Sequence, residues 1–244
     1  MIAPAWWPIL AREMALFGQR LKRPTFVVSA LVTPVMYLLV FGLGLGRSVR
    51  IDGGDYLSFL VPGLLAMTAM QNSFTWVASA LNFSRFYHRT YPIMALAPIG
   101  AGTIVAGHML AGIARGLFAT LLVAAAGLAA GWRPEPSWQA PLALLLDCAQ
   151  FAALGVLIGM ITRHTEEHTA YTNFLITPMG FFCGTFFPLS ALPDWVATAL
   201  SWLPLGPAVT ALRTGHDGAA VLGLVVYTML FTALAIRAVA NHHE

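Results

Sequence analysis

Residues 181–207 read FFCGTFFPLSALPDWVATALSWLPLGP. The stretch opens like an apolar helix, breaks at Gly184, Pro188 and Pro193, resumes as a second apolar run and stops at Pro204 and Pro207. Asp194 is its one charge. A segment that only had to cross a bilayer would avoid prolines, which remove backbone donors that lipid cannot replace. The stretch therefore reads as a membrane-embedded segment folded back on itself.

The rest of the chain supports that setting. Of 244 residues, 58% are hydrophobic and only 9% charged, against roughly 25% charged in a soluble domain. Long apolar runs recur throughout, and about 20 such residues cross a bilayer as a helix. A membrane β-barrel would need alternating polar and apolar residues, which LLVAAAGLAAG (121–131) lacks. The expected fold class is an all-α polytopic membrane protein, one transmembrane domain over 1–244.

Six spans are expected, at about 25–46, 56–81, 100–130, 139–161, 172–189 and 219–240. The N-terminal 1–24 lacks the charged-then-apolar order of a cleaved signal and reads as an amphipathic interfacial helix. Trp6, Trp7, Leu10, Met14 and Phe17 would lie on one side, and Arg12, Glu13, Gln19 and Arg20 elsewhere. With both termini cytoplasmic, Arg12, Arg20, Lys22, Arg23, Arg85, Arg89, Arg163 and Arg237 fall inside. Arg47, Arg50, Arg133 and Arg213 fall outside. Eight against four favours this orientation, because short cytoplasmic loops accumulate Lys and Arg. The same bias explains the net charge of +3 without nucleic acid. Trp132 and Trp138 bracket a tight outer turn as interface anchors. Cys148 and Cys183 lie in apolar runs and read as reduced packing residues.

Several chemistries find no motif. The single lysine, Lys22, sits in RLKRP, so there is no phosphate-binding loop, and GLGLG at 42–46 ends a span without opening a strand-to-helix turn. HTEEH (164–168) places two histidines at i, i+4, but the zinc-protease order is His-Glu-x-x-His. A polar turn is the expected reading there and a solvated tail at NHHE; no metal or catalytic residue is assigned. Small-residue pairs at Gly112–Gly116, Gly155–Gly159 and Gly180–Gly184 permit close helix approach and read as packing seams.

Arg115 and Asp147 lie inside apolar runs, where an isolated charge costs at least ~2.5–3.5 kcal/mol. By rise per residue, Arg115 lies ~22 Å from the start of its span and Asp147 ~12 Å from the outer end of the next. Similar depths on consecutive antiparallel spans predict an ion pair, with a structural role or a substrate contact both open. Gln71, Asn72, Ser73, Thr75 and Trp76 form a polar-aromatic cluster midway along the second span. Such groups face a cavity or bond between helices, since lipid offers no partner. Residues 82–99 interleave Arg85, His88 and Arg89 with Phe86, Tyr87 and Tyr91. That is the pattern of a short helix on the cytoplasmic face, seated on the membrane domain or in a partner's groove.

Three stretches resemble the permease subunits of type-2 ABC exporters, closest to the nodulation lipo-oligosaccharide and drug-efflux group. DYLSFLVPGLLAMTAMQNSF (55–74) is similar to the family's Tyr-x-x-Phe-Leu-x-Pro-Gly opening of the second span. RTYPIMALAPIGAGTIVAGHMLAGIARGL (89–117) follows its pattern of a short element, Pro, then a helix with spaced glycines. ITPMGFFCGTFFPLSALPDWVATALSWLPLGPAVTALR (176–213) resembles its Gly, Phe-Pro, Leu-Pro, Pro-Leu and terminal Arg signature. Where many relatives carry Gly-Thr-x-Glu, this chain has Arg89-Thr90-Tyr91-Pro92.

The resemblance implies a bacterial inner-membrane half-transporter that forms a homodimer and binds two copies of a cytoplasmic ABC ATPase. That partner would hold the ATP and magnesium. Residues 82–99 would be the coupling helix, and an amphiphile such as a glycolipid or lipo-oligosaccharide would pass between the copies. Faces of the first, second and fifth spans would line its path, with Gln71, Asn72, Thr75, Trp76, Phe181 and Phe182 as candidates. Export of a hydrophobic drug is the alternative; a metal-dependent membrane enzyme at His164 and His168 and a non-transporting anchor are the rivals from other classes. Residues 187–216 would form a re-entrant outer hairpin, a lid over the external end of the path. In it Gly184 would be the hinge, Pro188 and Pro193 the breaks, Asp194 the N-cap, and Trp195 and Trp202 the interface anchors.

Overall fold

A computed structural model describes residues 4–45, 50–51, 54–87, 89–91, 99–164 and 167–241. His88, residues 92–98, Thr165, Glu166 and the NHHE tail from 242 lie outside the described residues.

Among the described residues the regular structure is helical apart from one two-residue antiparallel pairing, β1 (Arg50–Ile51) with β2 (Gly54–Asp55). Helix α1 (Trp7–Leu21) begins with a proline in its first turn, where the missing N–H costs nothing. Helix α2 (Pro24–Tyr37) continues as a π-helical stretch, Leu38–Leu45. Helix α3 (Tyr56–Asn82) widens into a second π-helical turn, Phe83–Tyr87. Helices α4 (Ala101–Ala129), α5 (Gln139–Ile161) and α10 (Gly218–Ala240) match the expected third, fourth and sixth spans almost to the residue. These three are long and apolar enough to cross a membrane.

The fifth expected span differs. Helix α6 (Glu167–Tyr171) passes through a π-helical turn, Thr172–Ile176, into α7 (Thr177–Phe182), and the helix ends there instead of near 189. Gly184 takes a positive φ of 84°, a conformation that favours glycine, and turns the chain away. After a short 3₁₀ turn come α8 (Asp194–Ser201) and α9 (Leu205–Thr214), bent 95° to each other. Counted as one broken span, they raise the number of elements long and apolar enough to cross a membrane to four among the described residues. Gly215, at φ 69°, closes α9. Pro193, not Asp194, is the N-cap of α8, and Asp194 is its first helical residue, where a negative charge favours the helix dipole. The side-chain N-cap is Asp217, whose carboxylate accepts from Ala219 N and Ala220 N at 3.0 and 3.2 Å at the start of α10.

At the centre, α3 lies between α4 and α5. Leu60, Val61, Ala66, Ala69, Met70, Phe74, Ala78 and Leu81 of α3 are all buried. The predicted seams make this possible. A Cβ on Gly112 would come 2.7 Å from Val77 Cγ2, and one on Gly155 would come 2.8 Å from the Phe74 carbonyl oxygen. Both free cysteines, Cys148 and Cys183, are buried.

Helix α1 docks on this core through Ile9, Glu13 and Phe17, one turn apart. This corrects the expected face: Glu13 points inward, while Trp7 is half exposed. Gly107 of α4 leaves room for Ile9, and Phe17 meets Phe118 edge-on at 5.4 Å.

Gly155→Val is expected to lower the thermal midpoint of the solubilised protein, costing about 1–3 kcal/mol by overpacking. Gly102→Ala, with nothing within 4 Å of the added Cβ, should be neutral or gain up to ~1 kcal/mol of helix propensity. Equal midpoints for the two variants would rule out the seam.

Candidate functional site

Thr68, the adjacent pair Gln71 and Asn72, Thr75 and Ser79 recur every three or four residues along α3, so their side chains share one face. That face is left open by α4 and α5 and looks toward α1 and α2. Where α1 crosses it, a cavity of about 640 Å³ is lined by Gln71, Asn72, Thr75 and Trp76 from α3 and by Arg12, Glu13 and Arg20 from α1. Gln71 and Asn72 also border a second hollow of about 190 Å³, closed by Tyr37, Leu64 and Met67. Beyond Tyr37, four rings pack together: Tyr37, Phe41, Phe181 and Phe186, with Phe181 stacked on Phe186 at 5.2 Å. From Ser84 to Leu64 the track follows α3 for about 30 Å at its rise per residue. It changes from polar and charged at one end to aromatic at the other.

Five of the six predicted path residues therefore lie along one track: Gln71, Asn72, Thr75, Trp76 and Phe181. Phe182 does not join them and is exposed.

The predicted Arg115–Asp147 pair is not formed. Arg115 donates to the Glu13 carbonyl at 2.6 Å, lies 3.5 Å from the Glu13 carboxylate and stacks 3.6 Å from the centroid of Trp76. Arg20 approaches the same indole at 4.3 Å. Asp147 accepts from Gln150 Nε2 at 2.9 Å, and the same nitrogen donates to the Pro204 carbonyl at 3.0 Å, tying α5 to the start of α9. The two charges face different neighbours. The partner missed from the sequence was Glu13, and its spacing from Ile9 and Phe17 was the available signal.

Two more arginines act on backbone. Arg85 Nη1 donates to the carbonyls of Gly159, Met160 and Thr162 at 2.7, 2.6 and 3.0 Å, capping the C-terminal end of α5. Burial pulls its guanidinium below the ordinary value, with the Tyr91 hydroxyl opposing. Arg213 donates to Phe59 O, Gly184 O and Thr185 O and lies 3.5 Å over the Phe59 ring. It clamps the turn after α7 and the end of α9 onto α3, a role its sequence position gave no reason to expect.

The expected coupling residues are divided by the fold. Arg85 is committed to the α5 cap and Tyr91 is buried with Ile9, Val77 and Ile104. Phe86 is partly covered beneath Arg85, whereas Tyr87 is 68% exposed and Arg89 is exposed with a positive φ of 47°. His88 lies outside the described residues. In the bent segment, Trp195 and Trp202 are exposed, as interface anchors would be. Pro188 and Pro193 begin the 3₁₀ turn and α8. His168 bonds Ser79 across its ring nitrogen at 3.3 Å, and among the described residues no three His, Cys, Asp or Glu gather as a metal site.

The profile of the ABC-2 type transporter family matches residues 5–216. The inner membrane transport permease YadH of Escherichia coli is 28% identical over 215 residues, covering 87% of this chain and 81% of that protein. Nodulation protein J of Bradyrhizobium diazoefficiens is 30% identical over 221 residues, covering 84% and 83%. Nodulation protein J of Sinorhizobium fredii is 31% identical over 192 residues, covering 77% and 72%.

In a double-mutant cycle, Glu13→Gln and Arg115→Gln should couple by about 0.5–3 kcal/mol in unfolding free energy. Asp147→Asn should add to Arg115→Gln within ~0.5 kcal/mol; coupling of the reverse pattern would restore the Arg115–Asp147 pair. Arg85→Ala should lower stability by at least ~1.5 kcal/mol, read by thermal unfolding, because charge-assisted bonds to three carbonyls are lost together.

Proposed function

The chain belongs to the ABC-2 type transporter family, and on that premise we propose that it is the membrane-spanning permease subunit of an ATP-driven exporter of amphiphiles. It works as a homodimer with two copies of a cytoplasmic ABC ATPase, which supplies ATP and magnesium. It sits in the bacterial inner membrane with six spans and both termini in the cytoplasm. The first, second and fifth spans take shapes that length and apolarity alone do not identify: α2 with its π-helical extension, the polar-striped α3, and α6 with α7.

The observation that carries this reading is the track along α3. Its polar, charged end lies beside α1 and the 83–91 segment, and its aromatic end beside the break at Gly184. An amphiphile such as a glycolipid or lipo-oligosaccharide needs that pair of environments along one route. Transport follows a population shift: closure of the ATPase dimer favours one packing of the permease dimer because it binds the two packings unequally. The bent pair α8–α9 acts as the outer lid, held to α3 by Arg213.

Contact with the ATPase falls to the exposed part of the 83–91 segment, chiefly Tyr87 and Arg89, since Arg85 and Tyr91 face inward. With the chain reconstituted beside its ATPase, Tyr87→Ala combined with Arg89→Glu should return the hydrolysis rate to that of the free ATPase. Loss of an aromatic anchor costs about 2 kcal/mol of binding, roughly 30-fold. The variant's thermal midpoint should not move. Undiminished stimulation of hydrolysis would sink the coupling role of this segment.

A further inference from the structure

Asp147 is fully buried, and no cation among the described residues bonds it. Its Oδ1 accepts from Gln150 Nε2 at 2.9 Å, whereas its buried Oδ2 has no hydrogen-bond partner among them. Gln150, also fully buried, is in the complementary position. Both hydrogens of its amide nitrogen are spent, one on Asp147 and one on the Pro204 carbonyl at 3.0 Å, and its Oε1 has no donor. A joined pair of side chains thus carries two buried acceptors that lack a hydrogen, and each unsatisfied acceptor is costly. An ionised carboxylate there would add the penalty of a lone charge in an apolar interior.

Among the described residues, the titratable groups around Asp147 are engaged or distant. On α5 itself, Cys148 faces the α3–α4 seam, where a Cβ on Gly116 would meet its sulfur at 2.7 Å. The Tyr56 hydroxyl of α3 donates to the Phe186 carbonyl. On α4, Arg115 turns to Glu13, and His108 lies two turns from Gly116, about 12 Å along the helix. Arg213 of α9 clamps the Phe59, Gly184 and Thr185 carbonyls. On α10, Tyr227 bonds the Trp202 carbonyl. Arg237 lies about 14 Å along from Thr228, which meets the Leu146 carbonyl. On α6, Glu167 accepts from Arg163 N, His168 bonds Ser79, and Tyr171 is exposed.

We propose that Asp147 is a proton-binding site: a proton on Oδ2, donated to Gln150 Oε1, closes a neutral acid–amide pair that holds the start of α9 against α5. One proton supplies the missing donor and removes the charge. A metal ion in its place would need several further oxygens, and among the described residues no three His, Cys, Asp or Glu gather. The pair is also a latch, a role that rests on the reading of α8–α9 as an outer lid. Swinging Pro204 away from Gln150 admits water to the carboxyl, and an aspartate in water releases its proton above about pH 3.9. The closed lid then holds one proton more than the open lid, so rising pH favours opening.

The site is tested by infrared spectroscopy of the full chain in an ester-free detergent at neutral pH. Subtracting the spectrum of Asp147→Asn should leave the C=O stretch of one neutral carboxylic acid, shifted by deuterium oxide and by isotope-labelled aspartate. A carboxylate stretch in its place would overturn the proposal. Asp147→Asn carries the same donor permanently, whereas Asp147→Leu offers Gln150 neither donor nor acceptor. Deuterium exchange of the Leu205–Thr214 amides should therefore be at least about tenfold faster in the Leu variant than in the Asn variant. Equal exchange in the two would overturn the pair.

The latch is read as the exchange of Asp194–Thr214 in the unaltered chain relative to Asp147→Asn. Between about pH 5 and 8 that ratio should rise about tenfold per pH unit, because each opening releases one proton. Fast exchange with a flat ratio would show a lid that moves without the proton, which overturns the latch. Exchange across α8–α9 as slow as in α5, in both forms and at every pH, would remove the lid reading and leave the proton site to the infrared result.

Discussion

The approach of three helices to van der Waals contact governs this molecule. A Cβ at Gly112 or Gly155 would come within 2.8 Å of α3 atoms, so α3 can be gripped from two sides only because those side chains are absent. Lipid provides no hydrophobic drive between helices, so association depends on close packing of this kind. Two faces of α3 are consumed by α4 and α5, and the remaining face carries Thr68, Gln71, Asn72, Thr75 and Ser79. The polar track exists because the apolar seams use up the rest of the helix.

Around that core, the buried arginines share one solution to a common problem. Arg85, Arg115 and Arg213 each donate to backbone carbonyls: at the end of α5, on α1, and at the turn after α7. Carbonyls that helix termination leaves unpaired are acceptors already in place, and a guanidinium satisfies several at once. At Arg85 and Arg213 the broken helix end and the partly buried cation thereby remove each other's cost, whereas Arg115 meets a carbonyl in the middle of α1. Where the chain breaks and where it keeps an arginine are consequently linked, and the track is held at both ends by such links.

Much of this was legible in the residues. The bounds of α4, α5 and α10 follow from apolar length, and the break near 184–193 from glycine and proline. Gln71, Asn72, Thr75 and Trp76 stood out because polar groups in an apolar run need a place to go, and they share one cavity. The misplaced residues have a common cause. Glu13 was assigned to the polar side of α1, and Arg85 and Tyr91 to a coupling helix on the cytoplasmic face, because segments at a membrane edge give no sign of which side docks. The fifth span was drawn too long because Thr185 to Phe187 continue the apolar run past a glycine whose φ only the fold reveals.

By itself the sequence determined that the chain is helical and apolar enough for a membrane, and set an expected depth for each charge. Lipid forces a segment to satisfy its own backbone, and depth grows linearly with residue number along a helix. Only the tertiary structure decided what each charge meets. Residue spacing gives Arg115 and Asp147 similar expected depths, yet one turns to Glu13 and the other toward the start of α9. Depth is a property of one helix, whereas the direction a side chain faces has meaning only once its neighbours are packed around it.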